Sequence, residues 1–459
     1  MEETMSVPAA TASVDESCVL PRAADFDYPS VESADGVWLT LAGSGRRILD
    51  ACSGGAMTTC LGHGDEAVIA AAAEQSLALP YAYQHHFTNA PQERLAERLT
   101  TDLMPEMARV RFTSGGSEAN ETALRLIRSY HVERGDADRW RMIAPAQSYH
   151  GSLTGALALS GRPSLRARWA PYLAGHLHLS ARWRDDPDGS QALAELDRLL
   201  AEAGPGTVAA YVCEPVSAAA APALRPPDAF WRGLDERRRE HGFLVAFDEI
   251  VSGMGRTGSW LASQQLPITP DVVTIGKGLG AGYAPIAAVL CTEAVYDALD
   301  AGSGEFEHGH TWDGAPLPCA VGNAVIDRLV EIEAPARARE GGARMLAALN
   351  ERLRDLALVR EVRGSGLLLG IEMVDPRDGR SPLPAALDVE RLVVERALAQ
   401  DLLLTATATA TDGIVGDQVL LAPALTATDA ELDEMVARTV ALLEALEPEV
   451  VGALAEAEA

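Results

Sequence analysis

This chain is nearly without lysine. Among 459 residues Lys277 is the sole example, and the rest of its 38 lysines and arginines are arginine. Arginine serves well in surface ion pairs, but it does not supply a primary amine that deprotonates and condenses with a carbonyl. The one lysine lies in Asp271-Val-Val-Thr-Ile-Gly-Lys277-Gly-Leu-Gly-Ala-Gly282, a Gly-rich turn after a β-like run. Drift in an Ala-, Arg- and Leu-rich composition would also leave one lysine, so the neighbouring motifs have to decide.

Other absences narrow the class. The six cysteines, Cys18, Cys52, Cys60, Cys213, Cys291 and Cys319, are scattered and form no CxxC pair. Neither a disulfide framework nor a metal site is indicated; reduced, mostly buried thiols are expected. No apolar run is long enough to span a bilayer. The start, Met1-Glu-Glu-Thr-Met-Ser, lacks the positive and apolar regions of a signal peptide, so a cytoplasmic location is expected. The net charge of −28 disfavours nucleic acid and anionic membranes as partners.

The organisation is legible in outline. Residues 1–22 read as a flexible arm and 23–64 as the N-terminal part of a small domain. The stretch 65–328 reads as a large domain, and 329–459 as the C-terminal part of the small one. Residues 36–50 have the texture of a β-meander. Amphipathic stretches at 90–103 and 117–130 alternate with short apolar runs at 110–113, 141–144, 208–213, 244–247, 272–275 and 286–291. That alternation predicts an α/β fold with a mostly parallel central sheet. Beyond 330 a helix at 342–358, the strand-like run 362–374, a strand at 419–421 and a helix at 429–446 capped by Thr428 suggest a smaller α+β unit. The stretch Thr405-Ala-Thr-Ala-Thr-Ala-Thr411 reads as a loop or edge strand.

Polar residues gather at the ends of these strands, where open α/β sheets bind ligands. After the first comes Ser114-Gly-Gly116-Ser117, whose amides and helix dipole suit a phosphate, although Ser117 would also serve as an ordinary cap. Tyr149-His150-Gly151 offers an aromatic to stack on a planar ring. Glu214 and Asp248 are carboxylates closing apolar strands, which need partners there. A protonated ring nitrogen is one such partner for Asp248, and capping the next segment is the bland alternative. Desolvation would give Lys277 a neutral amine. Thr311, in His310-Thr-Trp-Asp-Gly314, adds a hydroxyl suited to a phosphate.

In this order the set resembles the class III aminotransferases of fold type I, from about Gly36 to Leu443. The resemblance includes Phe247-Asp-Glu-Ile-Val-Ser-Gly-Met-Gly-Arg256-Thr-Gly258, the lysine about thirty residues on, Gly62-His-Gly64 and Arg363-Gly-Ser-Gly366. It implies pyridoxal 5'-phosphate as cofactor, held as a Schiff base on Lys277. Asp248 is then expected at the pyridine nitrogen, Tyr149 on one ring face and Ile250 on the other. Gly116 and Ser117 are expected at the phosphate, Glu214 near the phenolic edge and His150 beside the ring. Thr311 is expected to reach the phosphate of a neighbouring subunit, which implies a homodimer or higher homo-oligomer with shared sites. The reaction implied is transfer of an amino group from an amine or amino-acid-like donor to an oxo acceptor, in specialised metabolism.

The chain departs from that pattern in two places. Many relatives carry a carboxylate-binding arginine shortly before a Gly-Asp pair. Here the pair is Gly416-Asp417, and no arginine lies between Arg396 and Arg438. Another arginine or hydroxyls then have to meet a substrate carboxylate. Alternatively the enzyme is a decarboxylase, aminomutase, epimerase, or a carbon–carbon bond-forming or replacement enzyme on the same fold. Met57 stands where relatives often have an aromatic, and Tyr83, His85 and His86 lie in a polar-aromatic run. These four suit a larger, ring-bearing substrate; a subunit-interface segment is the plainer reading of the run.

Overall fold

The computed structural model describes residues 18–26, 28–180, 183, 185–408 and 416–458. Most of the expected arm, and Thr409–Thr411 of the threonine–alanine stretch, lie outside them. At the centre is a seven-stranded sheet. Its order is Arg109–Thr113, Ala287–Cys291, Val272–Ile275, Leu244–Asp248, Val208–Cys213, Arg141–Pro145, Leu177–Leu179. Only Ala287–Cys291 runs against its neighbours. The carboxyl ends of the other six therefore share one edge, and the expected mostly parallel sheet is present.

These strands are apolar on both faces because helices cover both. Val208–Cys213 and Leu244–Asp248 are buried at every position. Alternation sorts their side chains. Tyr211, Cys213, Val245 and Phe247 pack with Phe230 and Trp231 on one side. Ala210, Val212 and Ala246 pack with Ala119, Ala123 and Ile127 on the other.

Two smaller four-stranded sheets flank the first. One is the expected meander, Val31–Asp35, Trp38–Leu41 and Arg47–Asp50, completed by Leu402–Leu403 running parallel to the last of these. The other joins Val359–Ser365, Leu368–Met373, Gln418–Leu421 and Thr405–Thr407. Thr405–Thr407 is thus the edge strand that the sequence left open. N- and C-terminal segments together build this smaller α+β part, as expected. Arg256 knots it to the central sheet. Its buried guanidinium donates to the Leu367 carbonyl (3.1 Å), the Pro423 carbonyl and Ser53 Oγ (3.1 Å).

Some boundaries differ from the sequence reading. The helix expected at 342–358 spans Ala334–Leu353, starting where Pro335 suits a first turn that has no amide to spare. The helix expected to end at 446 continues to Glu458 through Pro448. Its start is as read: Thr428 Oγ1 accepts from the Glu431 amide, and the Glu431 carboxylate accepts from the Thr428 amide. The 90–103 helix is regular over Ala90–Arg98 and widens into a turn at Leu99–Leu103.

Candidate active site

Five polar strand ends meet on the shared edge. Asp248 closes its strand 5% exposed, so its charge depends on donors. Oδ2 accepts from Asn120 Nδ2 and His150 Nδ1, each at 2.8 Å. Oδ1 accepts from the Ile250 amide at 3.1 Å and from Thr274 Oγ1 only at 3.5 Å. The long fourth contact leaves Oδ1 open to a further donor. Asn120 is the hub of this network. Its amide also donates to the His150 carbonyl at 2.7 Å, and its oxygen accepts from Thr274 Oγ1 at 3.0 Å. Asn120 and Thr274 were not singled out from the sequence. A polar side chain one turn into an amphipathic helix reads as surface, and a hydroxyl in an apolar strand was the only other hint.

Lys277 follows the strand Val272–Ile275 with φ +42°, a conformation that non-glycine residues hold only when their surroundings impose it. Its amine makes no hydrogen bond or ion pair among the described residues. Burial pushes the amine below the usual lysine range, against the pull of the Asp248 and Glu214 carboxylates. That is the state a nucleophilic amine needs. The buried thiol of Cys52 is pushed up to about 11 and stays protonated.

Gly116 opens the helix Gly116–Glu133, whose N-cap is Gly115 and not Ser117, and no side chain caps it. The first amides are therefore left for an anion. Ser117 Oγ accepts from the Ser152 amide at 3.1 Å, which draws the Tyr149–Ser152 loop onto this turn. Ile250 sits between Gly116 and Gly276: a Cβ on either would come within 3.1 Å of its side chain. Both glycines are needed for Ile250 to lie there. Tyr149 is placed by its amide, which donates to Glu214 Oε2 at 3.1 Å. His150 Nε2 is buried with no hydrogen-bond partner among the described residues.

Glu214 also accepts from the Ala218 amide at 3.1 Å. Burial pushes its carboxyl up to about 7, with Asp248 adding to the rise, while His150 and the two amides oppose it. Its ordinary value is 4.5, so between 4.5 and 7 the folded chain holds a proton that the unfolded chain lacks. This contribution to stability is complete below the lower value and is lost as pH rises through the upper one. It is on the order of 3 kcal/mol. Urea unfolding of cofactor-free protein at pH 5 and pH 8 checks this. Glu214→Gln is expected to flatten the fall in stability by about that amount, and an unchanged fall would exclude a raised Glu214.

The remaining candidates divide. Met57 is buried with Cys52, Val216 and Ala218, in the wall beside Lys277. Thr311, Tyr83, His85 and His86 are exposed and gather elsewhere. Tyr81 OH donates to the Thr311 carbonyl at 2.9 Å, Tyr83 stacks on His85 at 4.8 Å and meets His86 edge-on at 5.5 Å. Arg111, which shares a surface cleft with His85, donates to Asp313 Oδ2 at 3.2 Å and to the His308 carbonyl. No hydrogen bond, ion pair or ring contact joins these four to Lys277, Asp248 or Tyr149 among the described residues.

The first group fits a flat, phosphate-bearing pyridine. It offers uncapped amides, a carboxylate with a free lone pair, an aromatic and an aliphatic side chain from different elements, and a partnerless amine. Comparisons with known proteins agree. The model of the family described as "Aminotransferase class-III" matches residues 22–443. An uncharacterized aminotransferase of Bacillus subtilis, YodT, is 32% identical over 91% of this chain and 96% of its own length. The taurine–pyruvate aminotransferase of Rhodobacter capsulatus is 34% identical over 85% of this chain and 86% of its own. An amine transaminase from an uncultivated Pseudomonas species, solved in the pyridoxal-phosphate-bound form, superposes with a TM-score of 0.85. It is 31% identical and covers 93% of this chain and 98% of its own. Nothing in these findings supports the decarboxylase, mutase, epimerase or bond-forming alternatives. No described helix is long and apolar enough to cross a membrane. The chain belongs to the class III aminotransferases, and it is a pyridoxal-phosphate-dependent enzyme of fold type I that acts on amine and oxo substrates.

Proposed function

We propose that this enzyme moves an amino group from a large, ring-bearing amine to a 2-oxo acid, with Lys277 as anchor and proton carrier. The observation that carries the roles is the buried amine of Lys277, without a hydrogen-bond or ion-pair partner among the described residues, on the sheet edge that also bears Asp248. Pyridoxal phosphate, when bound, supplies a carbonyl that amines condense with and a protonated ring that accepts electron density. Lys277 is the residue that would hold it covalently. Nζ of Lys277 would also act as the base that takes the proton from the donor carbon bearing the amine and as the acid that returns it. Asp248 keeps the ring nitrogen protonated, and Asn120, His150 and Thr274 hold that carboxylate still. Gly116 and Ser117 would bind its phosphate, Tyr149 and Ile250 would flank its ring, and Glu214 would face its phenolic side.

The exposed group of Thr311, Tyr83, His85 and His86 supports a homodimer in which each copy completes its partner's site. Thr311 then serves the partner's phosphate, and the aromatic run lines the partner's substrate channel. Met57, slimmer than an aromatic, leaves space in the wall beside Lys277. Pyruvate is a reasonable acceptor because the taurine aminotransferase named above uses it. A cytoplasmic enzyme of specialised biosynthesis, divided at residues 23–64, 65–328 and 329–459, completes this reading. A half-reaction checks it. Purified enzyme is mixed with a panel of aryl and alkyl amines, and absorbance and mass spectra follow the bound cofactor. Conversion to the amine form by aryl amines is expected; no conversion by any donor refutes the reading.

A further inference from the structure

Asp248 and Thr274 are register partners on adjacent parallel strands, so both side chains rise from the same face of the sheet. Alternation puts Ala246 and Val272 on that face too, packed with Ala119 and Ala123 of the helix Gly116–Glu133. Asn120 comes down from that helix between them, buried like both of its neighbours. A hydroxyl beside a buried carboxylate is a ready donor to it. Here the hydroxyl is turned away. Thr274 Oγ1 lies 3.5 Å from Asp248 Oδ1 and 3.0 Å from Asn120 Oδ1. Both of those oxygens only accept, and a hydroxyl has a single proton to give, so the shorter contact takes it.

Its partners fix which way Asn120 faces. Nδ2 stands 2.7 Å from the His150 carbonyl and 2.8 Å from Asp248 Oδ2, and both are acceptors. The two amide protons therefore belong on that side and the amide oxygen on the side of Thr274. One side chain thus donates to one oxygen of Asp248 and draws a competing donor away from the other. An ionised carboxylate has about four acceptor positions. Asn120 and His150 occupy Oδ2, and the Ile250 amide takes one position on Oδ1. A single position on Oδ1 is left, and Thr274 is the described neighbour within reach of it.

We propose that Asn120 is a positioning residue that keeps the last acceptor position of Asp248 open for the ring nitrogen, by holding the proton of Thr274 on its own oxygen. This rests on the reading above in which Asp248 meets the pyridine nitrogen. Thr274 acts through Asn120: it steadies the amide and is itself kept off the carboxylate. Without Asn120 the hydroxyl turns to Asp248 Oδ1, the other acceptor it reaches, and fills the position that the nitrogen needs. The harm then comes from Thr274 as well as from the lost amide, so a second substitution undoes part of the first.

The test measures how tightly the full chain, freed of cofactor, binds pyridoxal phosphate and its deaza analogue, in which CH replaces the ring nitrogen. The ratio of the two affinities isolates the nitrogen contact, because the phosphate, the ring faces and the aldehyde are shared. Asn120→Leu keeps the branched shape and removes both polar atoms. It is expected to lower the ratio by about 10- to 100-fold, the range for a hydrogen bond to a charged group. Asn120→Leu/Thr274→Val is expected to recover roughly three- to tenfold of that loss, and Asn120→Leu/Thr274→Ser, which keeps the hydroxyl, none of it. Thr274→Val alone is expected to lower the ratio by less than about threefold, since it only loosens Asn120. Three outcomes overturn the proposal: a wild-type ratio in Asn120→Leu, no recovery with valine, or equal recovery with serine. If Asn120→Leu does not fold, Thr274→Val decides, because a larger fall than that would mean that the hydroxyl supports Asp248 directly. A wild-type ratio near one would refute the placing of the nitrogen at Asp248, and this proposal with it. The aminotransferase reading fails separately, if no amine converts the wild-type cofactor; the affinity ratio needs no turnover and still reports on Asn120.

Discussion

Replacing Lys277 with alanine is expected to abolish turnover, by at least about 10⁴-fold in kcat. The same change should remove the visible absorption of the bound cofactor and leave the protein folded. The size follows from two roles on one atom. On the roles proposed above, loss of Nζ would remove both the covalent hold on the cofactor and the carrier of the proton. Arginine is no replacement, because its guanidinium stays charged. No second lysine exists anywhere in the chain to take over, so rescue has to come from outside. Small primary amines added to the variant should therefore restore a measurable fraction of the rate, larger amines less. Steady-state kinetics and absorbance on the same sample check this. Residual activity above about 1% of wild type without added amine would mean that Lys277 is not the proton carrier.

Asp248→Asn is expected to cost about 10² to 10³ in kcat. It should also lower the unfolding midpoint of cofactor-free protein. Asp248 offers only acceptors, and all four of its neighbours are donors. An asparagine has one acceptor oxygen. Whichever way it turns, its amide faces a donor, either Asn120 and His150 or Ile250 and Thr274. A buried mismatch of that kind costs about 1 to 3 kcal/mol before any chemistry is considered. The catalytic loss is larger because an amide does not keep a pyridine nitrogen protonated. Kinetics and thermal melts separate the two. A lowered midpoint with kcat within about tenfold of wild type would make Asp248 a structural hub only.

The residues that sequence reading found most easily are those whose type is scarce or whose position is abrupt. Lys277 stood out because arginine had replaced every other lysine. Asp248 and Glu214 stood out because a carboxylate ends an apolar run. Six of the seven central strands were visible to within a residue or two, since burial on both faces leaves little room for polar residues; the three-residue edge strand Leu177–Leu179 was not read. What pattern does not carry is long-range placement. Tyr83, His85 and His86 read as a substrate-facing run and Thr311 as a phosphate contact; only the fold shows that all four are exposed and that no described contact joins them to Lys277. Asn120 was missed because helical periodicity tells which face it is on and not what crosses above it. The end of the last helix was missed because Pro448 reads as a stop, although its missing amide is tolerated there.

The meander near the N-terminus is completed by a strand from far down the chain. Arg46 donates to Asp401, 355 residues on, beside the parallel pairing of Leu49–Asp50 with Leu402–Leu403. At typical ribosome speeds, the first half of that pairing waits roughly 20 to 70 s for the second to be made. Throughout that time the strand carrying Asp50 presents an open edge, and the wall behind Lys277 does not exist. A nascent chain therefore has its central sheet long before it has a working site, and a truncated product ends with the site unbuilt and one edge able to recruit a stranger.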